Sequence, residues 1–292
     1  METQNITNTI SNSLNTLFTN LHNSLNDNVF QILDDITFID GDILNHKYFS
    51  ALLIDKANGI IIIANCLLFA VLIYYAASFL FSHFSLSKSI QTPYQFIAKF
   101  VLCAILINSS DFLCDQILNI VDIITDCIRN IGFSFFSIDV SFVYLSKELT
   151  SVFRSETTQL INVFTFDGIL SSFMYFGFIN LLFTYSLRYI FINILILFLP
   201  FALLSICLDS TFWIFKMWLK NFISILFIQI FISVILLIIM SLKYSFSDNT
   251  VKILYIGALF ALMRANSFIR EFFSGFTSDI TNGISYMKNL LG

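Results

Sequence analysis

The sequence predicts an all-α polytopic membrane protein of about five transmembrane helices, six being possible, with amphipathic helices at both ends. Three observations predict it. Tyr189–Leu208 and Asn221–Leu242 are apolar runs, each close to the ~20 residues a helix needs to cross a ~30 Å hydrocarbon core. Between them lies one short polar stretch, 209–220, in which Trp213, Trp218, Lys216 and Lys220 suit a membrane–water boundary. Indole is apolar in body and polar at one edge, while a Lys stem lies along lipid and keeps its ammonium wet. Composition is the third: with 57% hydrophobic residues, 36 Phe and only 12% charged residues, the polar surface is too small for a soluble domain of 292 residues.

Charge and cysteine usage narrow the function classes. The formal net charge is −4 and no Lys/Arg cluster exists to neutralise phosphates, so nucleic acid is expected at most as transported cargo. Cys66, Cys103 and Cys207 fall inside apolar runs, where a thiol behaves as a small hydrophobe. Cys114 and Cys127 stand nearer an aqueous edge. There is no CxxC, and His22, His46 and His83 are scattered, so no metal or cofactor is expected.

In chain order, residues 1–58 form an extracytoplasmic amphipathic region, lacking the basic start and compact apolar core of a signal peptide. Ile6, Ile10, Leu14, Leu17, Leu21, Leu25, Val29, Ile32, Leu33 and Ile36 recur at helical spacing, and the opposite face is Asn, Ser, Thr and Asp. That face has no Lys or Arg before Lys47, so it suits a protein partner or another copy as well as a lipid surface. The turn-rich acidic patch Asp34-Asp35 and Asp40-Gly41-Asp42 follows, without EF-hand spacing.

Residues 59–270 form the transmembrane bundle. Its first span, Gly59 to Phe81, carries one polar residue, Asn65, expected to hydrogen-bond another helix. The second runs from Phe96 to Leu118, with Lys99 snorkelling near its start. Asn108, Asp111, Asp115, Asn119, Asp122 and Asp126 then fall on one helical face. This is either a solvated face on a helix leaving the membrane or the polar lining of a conduit or subunit seam, with Asn108, Asp111, Asp115 and Asn119 as its candidate residues. Residues 119–168 are read as an external loop of amphipathic helix.

Ile169–Leu208 is twice the length of one span, with Arg188 in its middle. It is either a hairpin turning near Arg188 or one span preceded by an interfacial helix. Pro200 should kink whichever helix holds it. Arg188 must reach an interface, a polar cavity or an acid from another helix or subunit, and Asp111, Asp115 and Asp167 are the nearby acidic candidates. The last span, Val251 to Ile269, is interrupted by Arg264 and Asn266 and leads into an amphipathic tail, 271–292. Counting Ile169–Leu208 as one crossing keeps Lys88, Lys216, Lys220, Arg270 and Lys288 on the cytoplasmic side, which gives five spans, N-terminus outside and C-terminus cytoplasmic.

No GxxxxGK[ST], HExxH or GxSxG motif occurs, so no enzymatic activity is expected. Few Gly and Pro residues argue against a self-sufficient secondary transporter, and a purely structural membrane scaffold remains open.

The order of parts resembles the TrbL-type polytopic inner-membrane subunit of type IV secretion and conjugative transfer systems. The residues that carry the likeness are Pro93–Phe100 at the entry to the second span, Arg188-Tyr189 opening an apolar run that contains Pro200, the linker Phe215-Lys216-Met217-Trp218-Leu219-Lys220, and Ser267-Phe268-Ile269-Arg270 in the last helix. It covers roughly residues 60–275. Leu187 stands where an acid often precedes the Arg-Tyr pair. The resemblance implies a channel or scaffold subunit in the cytoplasmic membrane that helps pass protein or DNA–protein cargo. It also implies partners: other secretion subunits, separate ATPases, and other copies of itself.

Overall fold

A computed structural model describes residues 2–24, 27–45, 47–54, 59–84, 93–153, 164–242 and 248–290. Every regular element among them is an α-helix. In order these are α1 (Glu2–Ser24), α2 (Asp27–Thr37), α3 (Asp42–Asn45), α4 (Lys47–Ile54), α5 (Ile60–Phe84), α6 (Pro93–Asn108), α7 (Ser110–Phe136), α8 (Phe142–Phe153), α9 (Phe166–Leu204), α10 (Phe212–Leu242) and α11 (Asp248–Leu290). Among the described residues four helical stretches are long and apolar enough to cross a membrane: Ile60–Phe81, Phe166–Leu204, Phe212–Leu242 and Thr250–Phe272. The bent pair α6–α7 makes a fifth if it counts as one span. The protein is an all-α polytopic membrane protein.

The N-terminal helical pattern is met by α1 and α2, with residues 25–26 between them outside the described residues. Three expectations need correcting in shape. The second span is not straight, for α6 and α7 meet at 64°. The local cause is polar: Asn108 Nδ2 donates to the Ala104 carbonyl at 2.7 Å and Ser109 Oγ to the Ile105 carbonyl at 2.8 Å. Such back-bonding competes with the helix ladder and bends it. The segment around Arg188 is neither a hairpin nor two pieces but one helix of 39 residues, about 58 Å long. The Trp/Lys stretch is not a linker, since α10 already begins at Phe212 and the turn before it is confined to 205–211. Pro200 lies in the last turn or so of α9. A proline there removes one amide donor where the helix is about to end. Lys88 lies outside the described residues, as do residues 154–163 of the expected external loop, and nothing is described of the Lys288 side chain.

The chain forms two compact units. The first comprises Met1–Phe38, Asp122–Tyr189 and Phe227–Gly292. Here α2 packs on α8, and both lie against aromatic side chains of α9: Phe30 meets Phe178 edge-on at 4.9 Å, and Phe142 lies 6.0 Å from Tyr185. Tyr185 is fully buried and donates its hydroxyl to the Leu262 carbonyl of α11 at 3.0 Å, so a phenol that would be costly alone in an apolar core is satisfied. A Cβ on Gly177 would overlap the Leu259 side chain, and this is how closely α9 and α11 approach.

The second unit comprises Ile39–Val121 and Ile190–Leu226. Its α5 and α6 pack side by side, with Tyr75 stacked on Phe96. As expected, Asn65 bonds another helix: its Nδ2 donates to Asn108 Oδ1 at 3.1 Å. Lys99, expected to snorkel, forms an ion pair with the exposed Asp209 of the turn before α10 at 2.6 Å.

Candidate functional site

Two polar constellations stand out, one in each unit. The first is the stripe at the α6–α7 bend. Asn108 is exposed, tied to Asn65, while Asp111, Asp115 and Asn119 are half-buried. Asn119 Nδ2 donates to Asp115 Oδ2 at 3.0 Å, and Gln116 reaches the same oxygen at 3.3 Å. The acidic turn at Gly41 packs against this pair. A Cβ built on Gly41 would lie 2.6 Å from Asp115 Oδ1 and 2.7 Å from Asn119 Oδ1. Only glycine allows the turn so close without displacing the carboxylate.

On α7 Phe112, Ile120 and Ile123 are each more than half exposed and Asp111, Asp115 and Asp122 are half-buried, while Cys114 and Leu118 are buried and Gln116, Asp126 and Asn130 are exposed. Large apolar side chains on the outer face suit contact with lipid or another subunit. What the stripe offers is a row of carboxylate and amide oxygens, three of its side chains half-buried, a chemistry suited to cations or polar groups. Among the described residues no group of three or more His, Cys, Asp or Glu side chains could hold a metal ion.

The second constellation surrounds Arg188. It is 2% exposed, and its Nη1 donates to the Thr37 carbonyl at 2.8 Å. Thr37 is the last residue of α2. The final carbonyls of a helix have no intrahelical donor and carry the negative end of its dipole, so a guanidinium there acts as a C-terminal cap. The acids proposed for Arg188 are placed elsewhere: Asp167 pairs with Lys252 at 2.9 Å, and Asp115 holds Asn119.

The other end of this cluster is also a cap. Ser141 precedes α8 and its hydroxyl accepts from the Tyr144 amide at 3.2 Å. Asp34, from α2, accepts from the Phe142 amide at 2.7 Å and the Val143 amide at 3.1 Å. Three of the amides that a helix start leaves orphaned are thereby satisfied, two of them by a side chain over a hundred residues away. Burial pushes the Asp34 carboxyl up to about 6, against the pull of those two amides and of Arg129, and with a smaller push from Asp139. Arg129 itself pairs with Asp139 at 3.1 Å and stacks over Phe38 at 5.1 Å.

The remaining predicted residues are dispersed. Tyr189 is half-buried and Pro200 buried. Trp218 is 7% exposed, stacks on Phe222 and donates its indole N–H to the Leu195 carbonyl at 2.9 Å, so it joins α10 to α9 within the second unit. Trp213 and Lys216 are exposed, with Lys216 over the Phe212 ring at 5.1 Å, and Lys220 is half-buried. Sequence reasoning missed the roles of Asp34, Thr37, Gly41 and Asp209. Of these Asp34 and Gly41, inside the acidic patch, carried a local signal.

Compared with known proteins, the chain matches no family model, no curated protein and no solved structure.

Proposed function

We propose that the chain is a multi-pass subunit of a type IV secretion or conjugation machine in the cytoplasmic membrane, N-terminus outside and C-terminus cytoplasmic. It acts as channel or scaffold for protein or DNA–protein cargo, while separate ATPases supply the energy. The observation that supports this best is the half-buried set Asp111, Asp115 and Asn119 on a bent pair of helices whose outward positions include Phe112, Ile120 and Ile123. Polar groups at span depth that are turned away from lipid mark a pathway or a seam. Weak internal burial of the first span adds to it: within Ile60–Phe81 only 11% of the most apolar stretch is buried by the rest of the chain, leaving wide faces for lipid and other subunits.

The test is Asp111→Leu with Asp115→Leu. The double variant should insert and accumulate normally yet lower transfer about tenfold or more, a loss of roughly 1.4 kcal/mol or more in the transfer step. Unchanged transfer refutes the conduit. A second reading, a self-sufficient secondary transporter, is favoured by the 64° break itself, since such proteins bind substrates at interrupted helices. The mass of the detergent-extracted particle separates the two: a ring or multi-protein complex supports secretion, a monomer the transporter.

A further inference from the structure

We propose that Cys103 and Cys207 are an intramolecular disulfide site, which a small hydroperoxide closes into a covalent tie between α6 and the corner that joins α9 to α10. Both are free thiols and both are fully buried. Cys103 Sγ donates to the Leu203 carbonyl at 3.6 Å, and the two thiols are hydrogen-bonded to each other. A lone thiol in an apolar setting is a small hydrophobe. Two thiols that meet across separate elements are a different arrangement, because the second sulfur stands where it can resolve an oxidised first one.

The corner holds its sulfur in place. The Ile206 and Cys207 amides donate to the Leu203 and Leu204 carbonyls, each at 3.1 Å, and Thr211 Oγ1 donates to the Ser205 carbonyl at 2.9 Å. A second tie joins the same two elements: Lys99, one turn before Cys103, pairs with Asp209, two residues after Cys207. Thiols already in contact need only about an ångström of movement each to close to a ~2 Å bond. The first thiol attacks the terminal oxygen of the hydroperoxide. The O–O bond breaks, the sulfur becomes a sulfenic acid, and the thiol proton leaves with the alcohol, or with water when the oxidant is hydrogen peroxide. The second thiol then attacks that sulfur; the S–S bond forms, the S–O bond breaks and water leaves. The two thiols together give up two electrons, which reduce the peroxide. In the proposed orientation the corner lies on the cytoplasmic side, where thiols are kept reduced, so the dithiol is the resting form and the disulfide marks oxidation. That choice of resting form rests on the orientation, whereas the meeting of the two sulfurs does not.

The test uses the full native chain in its membranes. After brief exposure to hydrogen peroxide, the remaining thiols are blocked with N-ethylmaleimide in SDS and the digest is read by mass spectrometry. A peptide pair linking Cys103 to Cys207 should appear, and dithiothreitol should release it. The oxidised, detergent-extracted protein should melt several degrees above the reduced one, as a chain closed by a native-geometry disulfide does. Cys207→Ala should abolish both changes. Because the linkage is read on the unsubstituted chain, a variant that folds poorly leaves that first result decisive. Cys103 and Cys207 both fully alkylated, at a peroxide dose that oxidises the exposed Cys127, overturns the site. So does a disulfide from either residue to Cys66, Cys114 or Cys127, or a sulfinic acid at either sulfur with no linked peptide. None of these results is read through transfer, so a failure here and a failure of the transport reading are distinct.

Discussion

Arg188 of α9 holds the carbonyl of Thr37, a residue 151 positions away, with a 2.8 Å hydrogen bond in a setting where both residues are buried. A charged donor on a buried carbonyl contributes roughly 1.5–3 kcal/mol. Arg188→Leu removes it and leaves a helix-end carbonyl without that donor, so α2 should loosen from α9. Limited proteolysis should show the N-terminal region cut several times faster, with insertion unchanged. Arg188→Lys should recover part of the protection, because it keeps the charge and loses the planar fork. Equal cleavage in all three proteins would refute the cap.

Asp34 makes the α2–α8 contact sensitive to pH. Its folded-state value lies above the ordinary 3.8, at about 6. The folded form therefore binds more protons than the unfolded form between those values, and stability falls as pH rises through that window. The contribution is complete below about 3.8 and lost above about 6. Hydrogen exchange at Phe142 and Val143, corrected for intrinsic rates, should show greater protection at pH 5 than at pH 7. Asp34→Asn should flatten that slope, and Asp34→Ala should cost about 1 kcal/mol as a lost cap.

Trp218→Phe keeps the stack on Phe222 and deletes the bond to Leu195. About 1 kcal/mol should be lost. A lower melting temperature of the detergent-extracted protein is the readout, and the Lys99→Met control, which removes only a partly exposed ion pair, should lose less.

Orientation can be read with thiol reagents at exposed positions. In a Cys-free background, Asp35→Cys and Lys147→Cys should label from outside intact cells, and Lys216→Cys only after permeabilisation. Outside labelling at 216 would reverse the assignment.

The spans were legible because length and apolarity are local signals: Ile60–Phe81 and Thr250–Phe272 fall within two or three residues of their expected bounds. Asn65 was legible too, since a lone amide in a span has few uses. The partner of Arg188 was not, because a helix-end carbonyl has no side-chain signature and every acid in the sequence was a more visible candidate. The expected turn near Arg188 failed for a related reason: no Gly or Pro stands between Gly177 and Pro200 to end the helix, and a buried, capped guanidinium removes the need for a turn. The bend at Ser109 was written in Asn108-Ser109-Ser110-Asp111, but a polar run shows that backbone competition is available, not that the helix yields to it.

The unbroken length of α9 has a mechanical meaning. At about 58 Å it exceeds a ~30 Å hydrocarbon core even when steeply tilted, so at least one end must stand clear of the lipid. Within the first unit, a push on the stiff helix α9 near Phe166 is carried to Arg188, where the same helix grips the end of α2, so whatever tugs on that end of α9 also tugs on the N-terminal helices.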